Sequence, residues 1–499
     1  MPPPQHRFPT KTSSPIRNLS EDILRQIFIQ CNAAHLLRVN RHRPKRWYIT
    51  NAPMVLCHVS SSWREIALGS PVLWSRLHFV LTVQLFSDRY SRDWAVLKHD
   101  IEFILWWQKN RATSPLFLVL DIKKTNNIRF EKLVTGGGMD IILHFLSTAQ
   151  CLNVDLFLWR QIQARLNSGR GYRFRFSNLQ TLVSIMDVNS EETRIPGMSF
   201  YEIQKLISHS QNTARPTLRY LRIKSDTIQS VDNIIPAHWT FLTHISFSDV
   251  TISFDIWYSL TRSTPRLTHG FFSLNYPEVD TDAHPQECVL HQLKTLSLTV
   301  NCSNKNTENP LRKFLSGLFF PTLTKLSLYS NTKSWKDHRA TAELSSILDY
   351  TPNITSLTLG THFSSFELIP NPINLLTALH SPSNARSAPL DPLWTQLPSL
   401  TDLHLEIPYT RTQPEAEVQL ATFIDNVFAP SNKWLDAHNL ECSIQTITII
   451  DNGVTWAKRF REAHIYELSL LLPRIKFGIT LTPSRLRDAE MWRLDFGDG

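Results

Sequence analysis

An apolar-x-x-apolar-x-apolar pattern recurs along most of this 499-residue chain. It stands at Leu218/Leu221/Ile223, Leu242/Ile245/Phe247, Leu293/Leu296/Leu298, Leu323/Leu326/Leu328, Ile354/Leu357/Leu359, Leu400/Leu403/Leu405 and Ile444/Ile447/Ile449. Weaker versions are Leu179/Leu182 and Leu267 with Phe272. First positions at 218, 242, 267, 293, 323 and 354 are separated by 24, 25, 26, 30 and 31 residues, and the next two gaps are 46 and 44. Alternate residues of a pleated strand point to one side, so each triplet predicts a short strand with one buried face. Pro216, Pro265, Pro321, Pro352 and Pro398 stand two residues ahead of a first apolar position and mark the boundary. Helix-like stretches at 201–208, 311–319, 342–350 and 415–428 lie between the strands and would cover their other side. One strand–helix unit cannot bury its apolar face alone, so tandem units sharing a continuous core and a long parallel sheet are expected.

These spacings fall at or just above the range of leucine-rich repeats. The expected fold class is α/β: a helical N-terminal module followed by an irregular leucine-rich-repeat-like α/β solenoid, or horseshoe. The repeats are degenerate, because Val300 and Tyr329 stand where the usual asparagine would follow the strands of Leu298 and Leu328. The reading divides the chain into a disordered leader (1–14), the helical module (15–80), a connecting segment with the first imperfect repeats (81–175), the solenoid (176–455) and a C-terminal cap and tail (456–499). Within the connecting segment, 94–110 suits an amphipathic helix and 115–122 a buried strand. The "RIKFGITL" run near the C-terminus suits another strand.

Hydrophobic residues at 42% and charged residues at 19% mark a folded chain. The net charge of +9 is concentrated: residues 1–50 hold nine Lys/Arg against Glu21 and Asp22, which accounts for +7. A basic arm and loop, and not a basic body, carry the charge, which argues against a nucleic-acid-binding body. "RGYRFRF" at 170–176 fits a strand with aromatics inside and Arg outside better than a stacking clamp. The basic run at 41–46 resembles a nuclear-import patch, though such runs also occur in solvated loops. The six cysteines show no CxxC pair and are read as reduced, buried thiols of an intracellular protein, cytoplasmic or nuclear. No apolar run is long enough for a membrane span, and Met1 to Arg17 has no apolar signal region.

The N-terminal module is read from caps and stripes. Ser20 is an N-cap with Glu21 and Asp22 in the first turn, where negative charge suits the helix dipole. Leu19 and Leu24 form a hydrophobic staple, and Ile23, Leu24, Ile27 and Phe28 make one apolar stripe. Val55, Leu56, Val59, Trp63, Ile66 and Ala67 make a second, and Pro71-Val72-Leu73-Trp74 closes the region. "PIRNLSEDILRQIF" at 15–28, followed by "APMVLCHVSSSWREIALGSPVLWSRL" at 52–77, resembles the F-box, in particular that of the large set of F-box proteins in mushroom-forming fungi. Two departures are Ser20, where the family usually has Pro, and the long basic insertion at 32–51.

The resemblance implies a module that packs against the Skp-type adaptor of a cullin-RING ubiquitin ligase. It implies that Pro15, Leu19, Ile23, Leu24, Ile27, Phe28, Leu56, Val59 and Trp63 form or brace the adaptor face. For Phe28 and Trp63, core packing is an equal reading. A protein target would then sit on the strand face of the repeats, where Lys294, Ser297, Lys325, Ser327, His404 and Glu406 alternate with the core positions. No Walker loop, nucleophile elbow, His-Glu-x-x-His or dinucleotide fingerprint occurs, and Gly136-Gly137-Gly138 lacks the Lys-Ser/Thr of a phosphate loop. The expectation is a non-enzymatic substrate receptor without cofactor or metal. The competing expectation is a binding scaffold outside any ligase, whose basic arm contacts nucleic acid or acidic partners.

Overall fold

The computed structural model describes residues 16, 19–33, 52–84, 102, 105–107, 109–110, 117–125, 150–155, 179–185, 218–224, 237–275, 288–301, 318–330, 351–361, 397, 399–407, 444–451 and 476–480. The chain divides into two units, Met1–Leu179 and Gln180–Gly499. The described residues are α/β, with a mostly parallel sheet and few helices.

The first unit opens with three helices: α1 (Glu21–Ala33), α2 (Ala52–Val59) and α3 (Ser61–Leu68). Ser20 caps α1 as expected, its Oγ accepting from the Ile23 N–H at 3.4 Å. Ser60 caps α3 in the same way, with its Oγ 3.1 Å from the Trp63 nitrogen. Gly69 ends α3, its N–H donating to Glu65 O at 2.8 Å. A 3-10 turn, Pro71–Trp74, follows, with Leu73 and Trp74 fully buried. The Trp74 indole donates to Ala67 O at 2.8 Å, and the Trp107 indole donates to Trp74 O at 2.7 Å. Buried indoles need such partners, and these two bonds hold the end of the turn at Trp74. Glu102, Leu105, Trp106, Trp107, Lys109 and Asn110 are helical, in line with the helix expected over 94–110. Strands β1 (Arg76–Gln84), β2 (Phe117–Thr125) and β3 (Cys151–Asp155) pair in parallel, β1 with β2 and β2 with β3.

The second unit is built on one repeated operation. Ten strands of one sheet follow each other in chain order: β4 (Thr181–Ile185), β5 (Tyr220–Lys224), β6 (His244–Ser253), β7 (His269–Asn275), β9 (Thr295–Asn301), β11 (Lys325–Ser330), β12 (Ser356–Thr361), β13 (Asp402–Ile407), β14 (Thr446–Asp451) and β15 (Lys476–Thr480). Each pairs in parallel with the next. A separate two-stranded sheet joins β8 (Cys288–Val289) to β10 (Leu318–Phe319). The apolar triplets set the register. Leu221, Ile245, Leu296, Leu326, Leu357 and Leu403 form one buried row across the sheet, and Ile223, Phe247, Phe272, Leu298, Leu328 and Leu359 form the next. The leading residues Leu218, Leu242, Leu267, Leu293, Leu323, Ile354, Leu400 and Ile444 are buried as well.

The weak triplet of β7 has a physical cause. Gly270 occupies the position that Leu fills elsewhere, and a Cβ there would lie 2.6 Å from Cε2 of Phe272. The ring of Phe272 fills the volume of the missing side chain. The prolines also find their reason: Leu267 N–H bonds Thr264 O at 3.0 Å and Leu323 N–H bonds Phe320 O at 3.3 Å, so Pro265 and Pro321 take the second position of a turn that feeds the strand.

Two readings change. Leu318 and Phe319, placed in a helix over 311–319, are strand β10, because they pair in register with Cys288 and Val289. A helix not expected, α4 (Phe254–Ser263), joins β6 to β7. Ser253 caps it, and Phe254, Trp257, Leu260 and Thr261 line its buried side. The helix-like stretches at 201–208, 342–350 and 415–428, the triple glycine, the 170–176 run and the 41–46 run lie outside the described residues.

Candidate functional site

The N-terminal helices divide their apolar side chains between core and surface. On α1, Leu24 and Phe28 are buried, while Ile23 and Ile27 are 50% and 43% exposed. These are two i, i+4 pairs one residue out of step, so the single apolar stripe is wide enough to face two ways. On α2, Leu56 and Cys57 are buried, while Val55 and Val59 are 39% and 54% exposed. Trp63 is half-buried and its ring packs on Phe28 at 4.9 Å. A shallow recess of 460 Å³ follows the exposed side of α1, lined by Asp22, Ile23, Gln26, Ile27, Gln30 and Cys31. Cys31 is exposed, contrary to the reading of the cysteines as buried; Cys57 and Cys151 are buried. Burial pushes the Cys57 thiol up in pKa, against the opposing charge of Arg64.

The geometry behind this face is locked. Arg25 pairs with Glu21 at 2.7 Å and Asp22 at 3.4 Å, and its Nε donates to Ser70 Oγ at 3.1 Å. Ser70 Oγ in turn donates to Ile66 O at 2.6 Å. The chain of bonds ties the start of α1 to the end of α3. The carboxylate pairs are exposed and contribute little by themselves. The buried Ser70 link fixes the helix position. Among the residues singled out from the sequence for this face, Ile23, Ile27 and Val59 lie on the surface, and Leu24, Phe28 and Leu56 lie beneath it as braces. Leu19 and Trp63 are intermediate, and Pro15 lies outside the described residues.

The second candidate face is the side of the sheet opposite the buried rows. Ser297 and Ser327 are register partners, and the same row runs on through Thr358 to His404. Lys325 stands in the adjacent outward row between Thr295 and Ser356 and is exposed. Lys294 is exposed but precedes its strand, and Glu406 lies within β13 opposite Ile450. Of the residues singled out for a target, Ser297, Ser327 and His404 share one outward row and Lys325 stands in the next, while Lys294 and Glu406 fall in neither.

The first outward row holds features not anticipated. Tyr220, His244 and His269 are successive register partners. The Tyr220 ring lies 4.4 Å from that of His244 with the planes tilted by 36°, and His244 and His269 stack, nearly parallel, at 4.2 Å. Thr243 and Thr268 each lie 2.9 Å from the Nδ1 of the histidine that follows. Their hydroxyls donate to the carbonyls of Arg219 and Thr243, so both imidazoles donate from Nδ1 to the threonines, which leaves the lone pair of the neutral His244 on Nε2. Burial, and then the neighbouring His269, lower the pKa of His244 to about 3. Further along the row, the Asp402 carboxylate accepts from Thr401 at 2.8 Å and from Thr446. Burial raises its pKa, but these hydroxyls, with His404 and Lys325, outweigh it and hold the group below the usual carboxylate range.

The threonines belong to a longer device. Oγ1 of Thr243, Thr268, Thr324 and Thr355 donates to a backbone carbonyl of the preceding turn at 2.9–3.2 Å, and Oγ1 of Thr401 shares its proton between such a carbonyl at 3.1 Å and Asp402. Two successive backbone N–H groups converge on the same carbonyl each time. The signal was present as an apolar–Thr pair ahead of each of these strands: Leu242-Thr243, Leu267-Thr268, Leu323-Thr324, Ile354-Thr355 and Leu400-Thr401. Among the described residues no group of three or more His, Cys, Asp or Glu is placed to hold a metal ion. Among them also no helix is long and apolar enough to cross a membrane.

No family model and no curated protein matches the chain. Among solved structures, it is similar to a Bacteroides fragilis protein solved as a structural genomics target, at 12% identity over 80% of this chain and 86% of that one, with a TM-score of 0.28. A likeness at that level carries no argument about fold or activity.

Proposed function

We propose that the chain is the substrate-recruiting subunit of an SCF-type cullin-RING ubiquitin ligase. In this reading α1–α3 are an F-box that docks a Skp-type adaptor, and the outward face of the second unit's sheet holds a protein target. The observation that carries the reading is the split apolar stripe: Ile23, Ile27, Val55 and Val59 remain exposed over a braced core of Leu24, Phe28 and Leu56. Exposed aliphatic side chains on a fixed helical scaffold suit a partner surface. Covering the exposed half of each is worth about 1 kcal/mol. The likeness of 15–28 and 52–77 to the F-box supplies the partner's identity. The in-order parallel strands with their threonine bonds support reading the second unit as a degenerate leucine-rich-repeat-like solenoid. Such a receptor performs no chemistry itself; it raises the effective concentration of a target lysine at the ubiquitin thioester.

The test is co-expression with a Skp-type adaptor and co-purification at about 0.5 M salt, where exposed charge pairs are mostly screened. The complex should survive, and should be lost in Ile27→Asp and Val59→Asp variants that keep the wild-type melting profile. A folded wild-type chain that takes up no adaptor overturns the reading. The scaffold alternative, with the basic arm of residues 1–50 contacting nucleic acid or an acidic partner, would then be tested by the steep salt dependence that phosphate binding entails.

A further inference from the structure

The first outward row of the second unit has an order that adaptor docking does not use. It runs Tyr220, His244, His269, Thr295, Lys325, Ser356, Asp402, Thr446 across successive strands. Three rings in contact come first, then a cation at Lys325, then an anion at Asp402. Thr295 and Ser356, which separate these three features, have short side chains. His244 is uncharged at neutral pH and largely buried, so it places no competing cation there, and the half-buried Tyr220 and His269 on either side of it leave part of their rings open. The Asp402 carboxylate is already oriented by the hydroxyls of Thr401 and Thr446. A pre-oriented charge loses little freedom on binding.

The spacing selects a ligand. Neighbouring strands lie about 4.8 Å apart, so His269 to Lys325 is two steps of about 10 Å in all, and Lys325 to Asp402 is about 10 Å again. An extended chain advances about 3.3 Å per residue, or three residues for each interval. We infer that this face takes an extended peptide that crosses the strands and carries an aromatic residue, an acidic residue three positions away and a basic residue three further. The aromatic side chain lies over the Tyr220–His244–His269 block, the acid meets Lys325 and the base meets Asp402. The inference rests on the target-holding half of the proposed function and gives that target a chemistry. Charge order decides the occupant: an all-acidic segment would meet Asp402 unfavourably, and an all-basic one Lys325.

The test uses the full chain and fluorescently labelled peptides at about 0.05 M salt, where surface charge pairs are weakly screened. The probes are Phe-Gly-Ser-Glu-Gly-Ser-Lys in Gly/Ser flanks, the same motif in reverse order, and versions of both with Lys in place of Glu. One of the two Glu-bearing orders should bind the wild type at least tenfold more tightly than its Lys-bearing counterpart. Lys325→Glu should invert that preference. The side chain is exposed, so the variant should fold, and inverted binding would itself prove that it does. Equal binding of the Glu and Lys peptides by the wild type, no binding of any of them, or a preference unchanged in Lys325→Glu, overturns the inference. Adaptor co-purification of the same samples separates the two readings. Retained adaptor with indifferent peptides sinks the peptide motif alone, and lost adaptor with selective peptides sinks the ligase reading alone.

Discussion

His244 makes the second unit sensitive to acid. Its pKa lies at about 3 in the folded chain against 6.5 in its ordinary state, because the ring is largely buried and stacked on His269. The unfolded chain therefore binds a proton between these values that the folded chain refuses. Stability is fully present above pH 6.5 and falls as pH drops from 6.5 toward 3. At 1.36 kcal/mol for each tenfold change in proton activity within that window, the loss at pH 5 comes to about 2 kcal/mol, and the ring's remaining solvent access brings it to about 1–2 kcal/mol. His244→Phe keeps an aromatic ring between Tyr220 and His269 and removes the titration. Denaturant unfolding of wild type and variant at pH 7 and pH 5 reads the difference. The variant should lose about 1–2 kcal/mol less than wild type on acidification. Hydrogen exchange at the imidazole C2 position, followed by mass spectrometry, reports the His244 pKa directly. A value near 6.5, or the same acid sensitivity in both proteins, would refute the reasoning.

Other outcomes follow from packing. Phe28→Ala should destabilise by about 3–5 kcal/mol, through the cavity left beneath Trp63, whereas Ile27→Ala, at an exposed position, should stay within about 1 kcal/mol; paired thermal melts separate the two. Gly270→Leu should cost about 1–3 kcal/mol by overpacking against Phe272, and Gly270→Leu combined with Phe272→Leu should recover part of it, as denaturant midpoints would reveal. Ser60→Ala should lower stability by about 1 kcal/mol through loss of the α3 cap, and Ser60→Asp should restore it.

The core of the second unit was legible because strand burial has period two and each triplet states it outright. Leu296, Leu298, Leu326 and Leu328 are buried as their spacing requires. The two-way split of α1 was not legible. Ile23 and Leu24 are adjacent apolar residues, and only packing against α2 and α3 decides which of them faces inward. Ser253 before Phe254, Trp257 and Leu260 was a readable helix signal for α4, but it sits directly after a strand whose own pattern masks it. Leu318 and Phe319 suit a helix locally and become strand because Cys288 and Val289 offer them a ladder. The outward rows were legible as positions, since they alternate with the core. The Tyr220–His244–His269 stack was not, because it joins residues from three strands whose register is fixed only by the fold. The Asp402 grip is hidden for the same reason: Thr446 lies 44 residues away in sequence.

The threonine bonds are indifferent to chain length. Thr243 reaches back 24 residues and Thr401 reaches back 46, yet their hydroxyl bonds measure 3.2 and 3.1 Å. The joint between consecutive strands is made entirely at the turn, so whatever the chain does between two joints leaves the joint unchanged. Doubling the length of such a connection adds only about 0.6 kcal/mol of closure entropy. Segments between strands are therefore free to lengthen, shorten or be exchanged wholesale, while the sheet keeps its register. A lineage built this way can vary its connections without touching its strands. Sequence comparison across such a lineage would lose alignment in the connections long before the strands diverged.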